Sequence, residues 1–129
     1  VVLSQFENER GKEDGYLRMG EIAELDIKAD FVNLSACETG LGKIYGGEGV
    51  VGLTQSFLLA GANAVSVSLW RVADESTSQF MVSMYGKVQD EGLSYADAIT
   101  EVKRQFINGN YGEVYKAPYY WAPFVYYGN

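Results

Sequence analysis

Cys37 is the only cysteine in this chain of 129 residues, and there is no histidine to activate it. It stands in Phe31-Val-Asn-Leu-Ser-Ala-Cys37-Glu-Thr-Gly40-Leu-Gly42, an apolar strand pattern that breaks into a glycine-rich turn. In an α/β fold the carboxyl end of a strand is where nucleophiles and ligand sites gather. A thiol there points to a cysteine hydrolase, in which a thiolate attacks a carbonyl and an imidazole handles the proton. Without an imidazole, either the chemistry is incomplete in this chain or Cys37 is not a nucleophile. A free cysteine at a strand end also packs as a small buried hydrophobe. Against that role, the loop residues Ala36, Glu38 and Gly40 surround the thiol. Small Ala36 and Gly40 leave room for a substrate, and the backbone N–H of Cys37 is a candidate oxyanion donor.

Other chemistries fit less well. Gly40-x-Gly42-x-x-x-Gly46 misses the dinucleotide spacing by one residue, and its loop is too long for a tight phosphate turn. Gly42-Lys43 is followed by Ile44 where a phosphate-loop NTPase needs Ser or Thr. One Cys and no His cannot supply a structural zinc set, so neither metal nor organic cofactor is expected. The charge balance of 10 basic to 17 acidic residues, net −7, disfavours nucleic acid and anionic membrane surfaces. A basic peptide or protein partner fits better. No apolar run reaches membrane-spanning length and no signal peptide is visible. With no possible internal disulfide, the expected compartment is reducing and cytoplasmic. The start at Val1-Val2-Leu3 reads as a fragment or a processed product.

The elements that must position Cys37 follow from periodicity. Val1 to Phe6 reads as a strand and Glu7 to Gly15 as a polar loop. Gly20 to Leu25 reads as a short helix with Ile22 and Leu25 inward. Phe31 to Ala36 and Ala64 to Leu69 are apolar and short, as in strands buried on both faces. Val50 to Ala60 reads as a helix with Val50, Leu53, Phe57 and Leu58 on one face and Gly61 as its stop. Phe80, Met84 and Val88 recur every four residues in a helix from Asp74 to Asp90. Ser94, with Asp97 three residues on, caps a helix whose core face is Tyr95, Ile99, Val102 and Phe106. After an aromatic turn, Phe124 to Tyr127 is the last strand. This order predicts an α/β fold with a parallel sheet covered on both faces, narrow enough to be incomplete at the N-terminus.

Leu34-Ser-Ala-Cys37-Glu-Thr-Gly-Leu-Gly42, Gly46-Gly-Glu-Gly49, Ala60-Gly-Ala62, Ser68-Leu-Trp-Arg-Val-Ala-Asp74 and Tyr119-Tyr-Trp-Ala-Pro-Phe124 together resemble CHAT domains. These are caspase-like peptidase domains, related to separases and caspases and often found downstream of tetratricopeptide repeats. The similarity runs from about Gly15 to the C-terminus, so residues 1–129 are taken as the C-terminal part of one such domain. The resemblance implies a caspase-like three-layer sandwich, with a mostly parallel central sheet flanked by helices, and a Cys–His dyad. Cys37 matches the nucleophile of the family's S-A-C-E-T-G motif. The family's base is the His of an H-G motif on an earlier strand, and nothing here matches it. The implied partners are a protein or peptide substrate, and tetratricopeptide repeats or another regulatory domain in the parent chain.

Asp74 and Glu75 carry two readings. They can stabilise the start of the following helix, where negative charge is favoured. They can also line the pocket for the residue before the cleaved bond, since separases are thought to receive a basic side chain on an acidic residue of the corresponding loop. With Glu38 and Glu48 they would make an acidic rim that favours a basic or neutral residue. Arg71 is the candidate for reversing that preference. Two functions follow: a cysteine endopeptidase fragment inactive without its base, or a non-catalytic caspase-like interaction module with an inert Cys37.

Overall fold

A computed structural model of the chain describes residues 18–34 and 48–128. Cys37, Ala36, Glu38 and Gly40, and the strand expected at Val1 to Phe6, lie outside these residues. The described elements are α1 (Met19–Ala23), β1 (Val32–Leu34), α2 (Glu48–Leu59), β2 (Ala64–Ser68), α3 (Asp74–Glu91), α4 (Tyr95–Ile107) and β3 (Phe124–Gly128). Two 3₁₀ turns, Val114–Lys116 and Pro118–Tyr120, lead into β3.

The sheet has the order β1-β2-β3, and all five residues of β2 are buried. β1 pairs with β2 in parallel, Val32 opposite Val65 and Leu34 opposite Val67. β3 pairs with β2 antiparallel, from Ala64 opposite Gly128 to Ser68 opposite Phe124. The sheet is therefore mixed, where the element order predicts a parallel one. The 3₁₀ turns return the chain to the end of β2 at which the strand finishes, so β3 runs back along it.

Strand side chains alternate between faces, and the two faces feed two cores. Val65, Val67, Val125 and Tyr127 pack with Val32 and Leu34 against Ile22 and Phe57 of α1 and α2. On the other face, Phe124 and Tyr126 join Phe80, Met84, Ala98, Ile99, Val102 and Phe106 of α3 and α4. Helices thus cover both faces. Phe80 stacks on Phe124 at 4.2 Å between ring centroids, and Phe106 lies 5.7 Å from Phe80.

The helix ends explain why the elements stop where they do. Gly61 follows α2 at φ 112°, and a Cβ there would run into the carbonyl of Ile27. Gly92 closes α3 in the left-handed region at φ 68°, and Ser94 Oγ accepts the Asp97 N–H at 3.1 Å to start α4. Four expectations need correction. Leu25 is exposed, because α1 ends at Ala23 and leaves it past the last turn. β1 is half-buried along its length, and Tyr95 is half-buried, stacked on Phe31 at 4.1 Å. The buried face of α2 includes Thr54 and Ser56, polar residues outside the apolar count; Ser56 Oγ donates to the Gly52 carbonyl at 2.9 Å.

Phe106 is fully buried and Leu59 is 76% exposed, which sets up a clean contrast. Urea denaturation of Phe106→Ala should show a loss of about 3–5 kcal/mol, whereas Leu59→Ala should stay within about 0.5 kcal/mol of the parent.

Candidate functional site

β2 ends at Ser68, and residues 69–73 carry the chain into α3. Four hydrogen bonds stitch this loop down. Ser68 Oγ donates to the Trp70 carbonyl at 2.7 Å, and the Leu69 N–H donates to the Pro123 carbonyl at 2.9 Å. Trp70 Nε1 donates to the Tyr119 carbonyl at 3.0 Å, and the Tyr119 hydroxyl donates back to the Arg71 carbonyl at 2.9 Å. Between the last two anchors and α3, Val72 is buried in the α3/α4 core. A loop fixed at its carbonyls and by one apolar plug has little freedom to rearrange.

A surface depression of about 500 Å³ lies here, lined by Arg71, Val72, Ala73, Asp74 and Tyr119. Of the three pocket candidates, Arg71 and Asp74 border it and Glu75 is not among its lining residues. Asp74 is placed by its helix and by the depression together. It stands in the first turn of α3, where the helix N-terminus favours a carboxylate, and it faces the depression. The N-cap residue of α3 is Ala73, and it makes no side-chain capping bond, so this end rests on the acidic first turn. Glu75 instead accepts a hydrogen bond from the Tyr115 hydroxyl. Of the expected acidic rim, Glu38 and the side chain of Glu48 lie outside the described residues, and Asp74 shares the depression with Arg71.

The parallel register of β1 and β2 brings their carboxyl ends to one edge of the sheet, with Leu34 beside Val67. The chain leaves β1 next to the start of the Leu69–Ala73 loop. Cys37 follows Leu34 by three residues and lies outside the described ones. Tyr119 is the residue that sequence reasoning missed. The aromatic run reads as a closure of the sheet edge, and β3 does form that edge. The bonds that tie Tyr119 to the Arg71 loop, however, use backbone carbonyls and leave no trace in residue type. Trp70, expected as a core anchor, is 37% exposed and acts through its ring N–H.

The family model of the CHAT domain matches residues 1–129. The chain belongs to the CHAT domain family. CHAT domains are caspase-like, peptidase-related domains. The match takes in the whole chain, including the stretch before Gly15 where the motifs are silent. Among curated proteins, human (Homo sapiens) tetratricopeptide repeat protein 28 is 27% identical over 113 residues, covering 88% of this chain and 4% of that protein. Its mouse (Mus musculus) counterpart is 26% identical over the same shares. The CHAT chain thus spans a small part of the relatives it matches. Among its described residues, no cluster of three or more acidic, Cys or His side chains is arranged to hold a metal, and no helix is long and apolar enough to cross a membrane.

The Tyr115 hydroxyl is raised above the ordinary phenol range, first by desolvation and then by the Glu75 carboxylate. A raised folded-state pKa contributes stability that is full below about pH 10 and is lost as pH climbs through the folded value. Tyrosinate absorbance at 295 nm should therefore show a late-ionising tyrosine that moves to lower pH in Glu75→Gln. The alkaline fall in stability should be shallower in that variant.

Proposed function

We propose that this CHAT domain is the nucleophile-bearing part of a cysteine endopeptidase of the caspase and separase type. Cys37 would supply the thiolate, with the base a histidine outside these 129 residues. The observation that supports the reading is the parallel pairing of β1 and β2, which brings the exit of β1 to the end of the sheet from which the Leu69–Ala73 loop leaves β2. Three peptide units hold Cys37 within ~11 Å of Leu34 along the chain. A thiolate there would attack the carbonyl of a peptide laid across the strand ends. The backbone amide of Cys37, in the loop of Ala36, Glu38 and Gly40, would hold the developing oxyanion.

The side chain before the cleaved bond would enter the depression. Asp74 faces it from a helix N-terminus, and the exposed ring of Tyr119 offers an aromatic wall, a pairing that suits a cationic side chain. Arg71 lines the same depression and would reject an acidic residue less strongly than a purely acidic pocket does, or hold the substrate's main-chain carbonyl. Glu75, committed to Tyr115, would tune the site from behind. The relatives named for tetratricopeptide repeats support placing such repeats, or another regulatory domain, in the parent chain. The absence of histidine favours a second reading for this polypeptide, a non-catalytic interaction module in which Cys37 is inert.

The chain by itself should turn over no peptide in a pool that varies the residue before the scissile bond. Turnover that Cys37→Ala abolishes would reveal a base elsewhere in the chain. In the parent protein, matched peptides with Arg, Met or Asp before the cut should be cleaved in the order Arg or Met ahead of Asp. Asp74→Asn should cut the Arg preference by roughly tenfold, the weight of one charge-assisted contact. Preferential cleavage after Asp, or a preference untouched by Asp74→Asn, would overturn the assignment of the depression.

A further inference from the structure

α3 buries Ser76, Phe80 and Met84, and its opposite face looks outward. A helix that meets only water on that face usually carries charge there. α3 departs from the rule. No charged residue stands between Glu75 and Lys87, and the exposed residues of that span are Ser78, Gln79, Val82 and Tyr85. Val82, near the middle of the helix, is 68% exposed, and Tyr85 is 42% exposed. Tyr85 is also held in place. Its ring meets Phe31 and Tyr95 edge-on, each at 6.3 Å between centroids, and the Asn33 side chain bonds its hydroxyl. Gly86 lies one turn beyond Val82, and a Cβ added to it would touch nothing within 4 Å. Among the described residues, then, nothing requires a glycine at a place where it weakens the helix relative to alanine. A glycine there lets another backbone approach closely.

The charge that bounds this patch is acidic. Asp90, one turn past Gly86, is exposed in the last turn of α3, where no basic residue offsets it and the negative end of the helix disfavours a carboxylate. Lys87 pairs with Glu91 at 3.6 Å, which leaves Asp90 without an ion pair among the described residues. We propose that the outer face of α3, from Ser78 to Asp90, docks a basic amphipathic α-helix of a protein partner. The partner's apolar stripe lies along Val82 and Tyr85, its backbone comes nearest at Gly86, and a Lys or Arg meets Asp90. Tyr85, already fixed by its neighbours, loses little freedom on binding and is the natural anchor. A second copy of the chain fits worse. The net charge is −7, and antiparallel pairing centred between Val82 and Gly86 would bring Asp90 of one copy toward the acidic first turn, Asp74 and Glu75, of the other. This surface does not depend on the chemistry at Cys37.

Three synthetic peptides test it, each titrated into the isotopically labelled chain while the amide spectrum is followed. The first is a helix with Leu at i, i+3, i+4 and i+7 spacing and Lys on its flanks. The second has Glu in place of Lys, and the third keeps the first's composition with the stripe scrambled. The first should shift the amides of residues 78–90 and bind about tenfold more tightly than either of the others. Asp90→Lys should weaken it about fivefold and strengthen the Glu peptide. Gly86→Ala should act in opposite directions on folding and binding. The melting temperature should rise by about 3 °C, while affinity for the first peptide falls about fivefold. Equal binding of the scrambled peptide, shifts centred on another surface, or no binding of the first peptide at millimolar concentration overturns the proposal. So does a lower melting temperature in Gly86→Ala, which would give the glycine a role inside the fold. Self-association that perturbs α3 without peptide would assign the face to a second copy and overturn it too.

Discussion

β2 is the strand on which everything else is hung. Both of its edges are paired, both of its faces are covered and all five of its residues are buried. A strand so enclosed must satisfy its backbone within the sheet, since an unpaired N–H or carbonyl removed from water costs as much as a lost hydrogen bond. Its composition fits the demand. Val65 and Val67 fill the α1/α2 side, while Ala64, Ser66 and Ser68 are small enough for the aromatic core of α3 and α4 to close over them. Register follows from this alternation, because a slip of one residue would turn the valines toward the aromatic core and the serines toward Phe57 and Ile22.

The functional geometry is a consequence of that register. A parallel neighbour ends at the same edge as β2, so the exit of β1 and the Leu69–Ala73 loop are brought together by strand pairing alone. The loop then owes its shape to a few specific contacts: the Val72 plug, the Ser68 and Leu69 bonds, and the exchange of bonds with Tyr119. Singly each bond contributes about 0.5–1.5 kcal/mol, a modest amount against the stability of a domain. Acting on one five-residue connection, they select one loop conformation. Asp74 stands at the positive end of α3 and borders the same depression as Arg71.

Much of this was legible in the sequence where local physics decides. The Phe80, Met84 spacing gave α3, Ser94 marked the cap of α4, and Gly61 marked the end of α2, since each of these depends on a residue and its near neighbours. The direction of β3 was not legible, because alternation along a strand is the same whichever way it runs; only the path of the chain after α4 determines it. Leu25 was misread because a periodic pattern continued past the point where the helix stops. Arg71 and Asp74 stood out by charge and by their place after a buried strand. Tyr119 did not, since its role is to bond a distant main-chain carbonyl, and Glu75 was drawn away from the depression by Tyr115, a partner forty residues later.

The central claim is that strand pairing brings the Cys37 segment to the Arg71–Asp74 depression. Because Cys37 is the single thiol, a nitroxide can be attached there without any substitution. Paramagnetic broadening of amide resonances then maps what lies around it. The account predicts strong broadening at residues 69–74 and little at Gly61–Asn63, which precede β2 at the opposite end of the sheet. Broadening centred on Gly61–Asn63 with the Arg71 loop untouched, or a thiol that labels only once the chain is unfolded in urea, would contradict it.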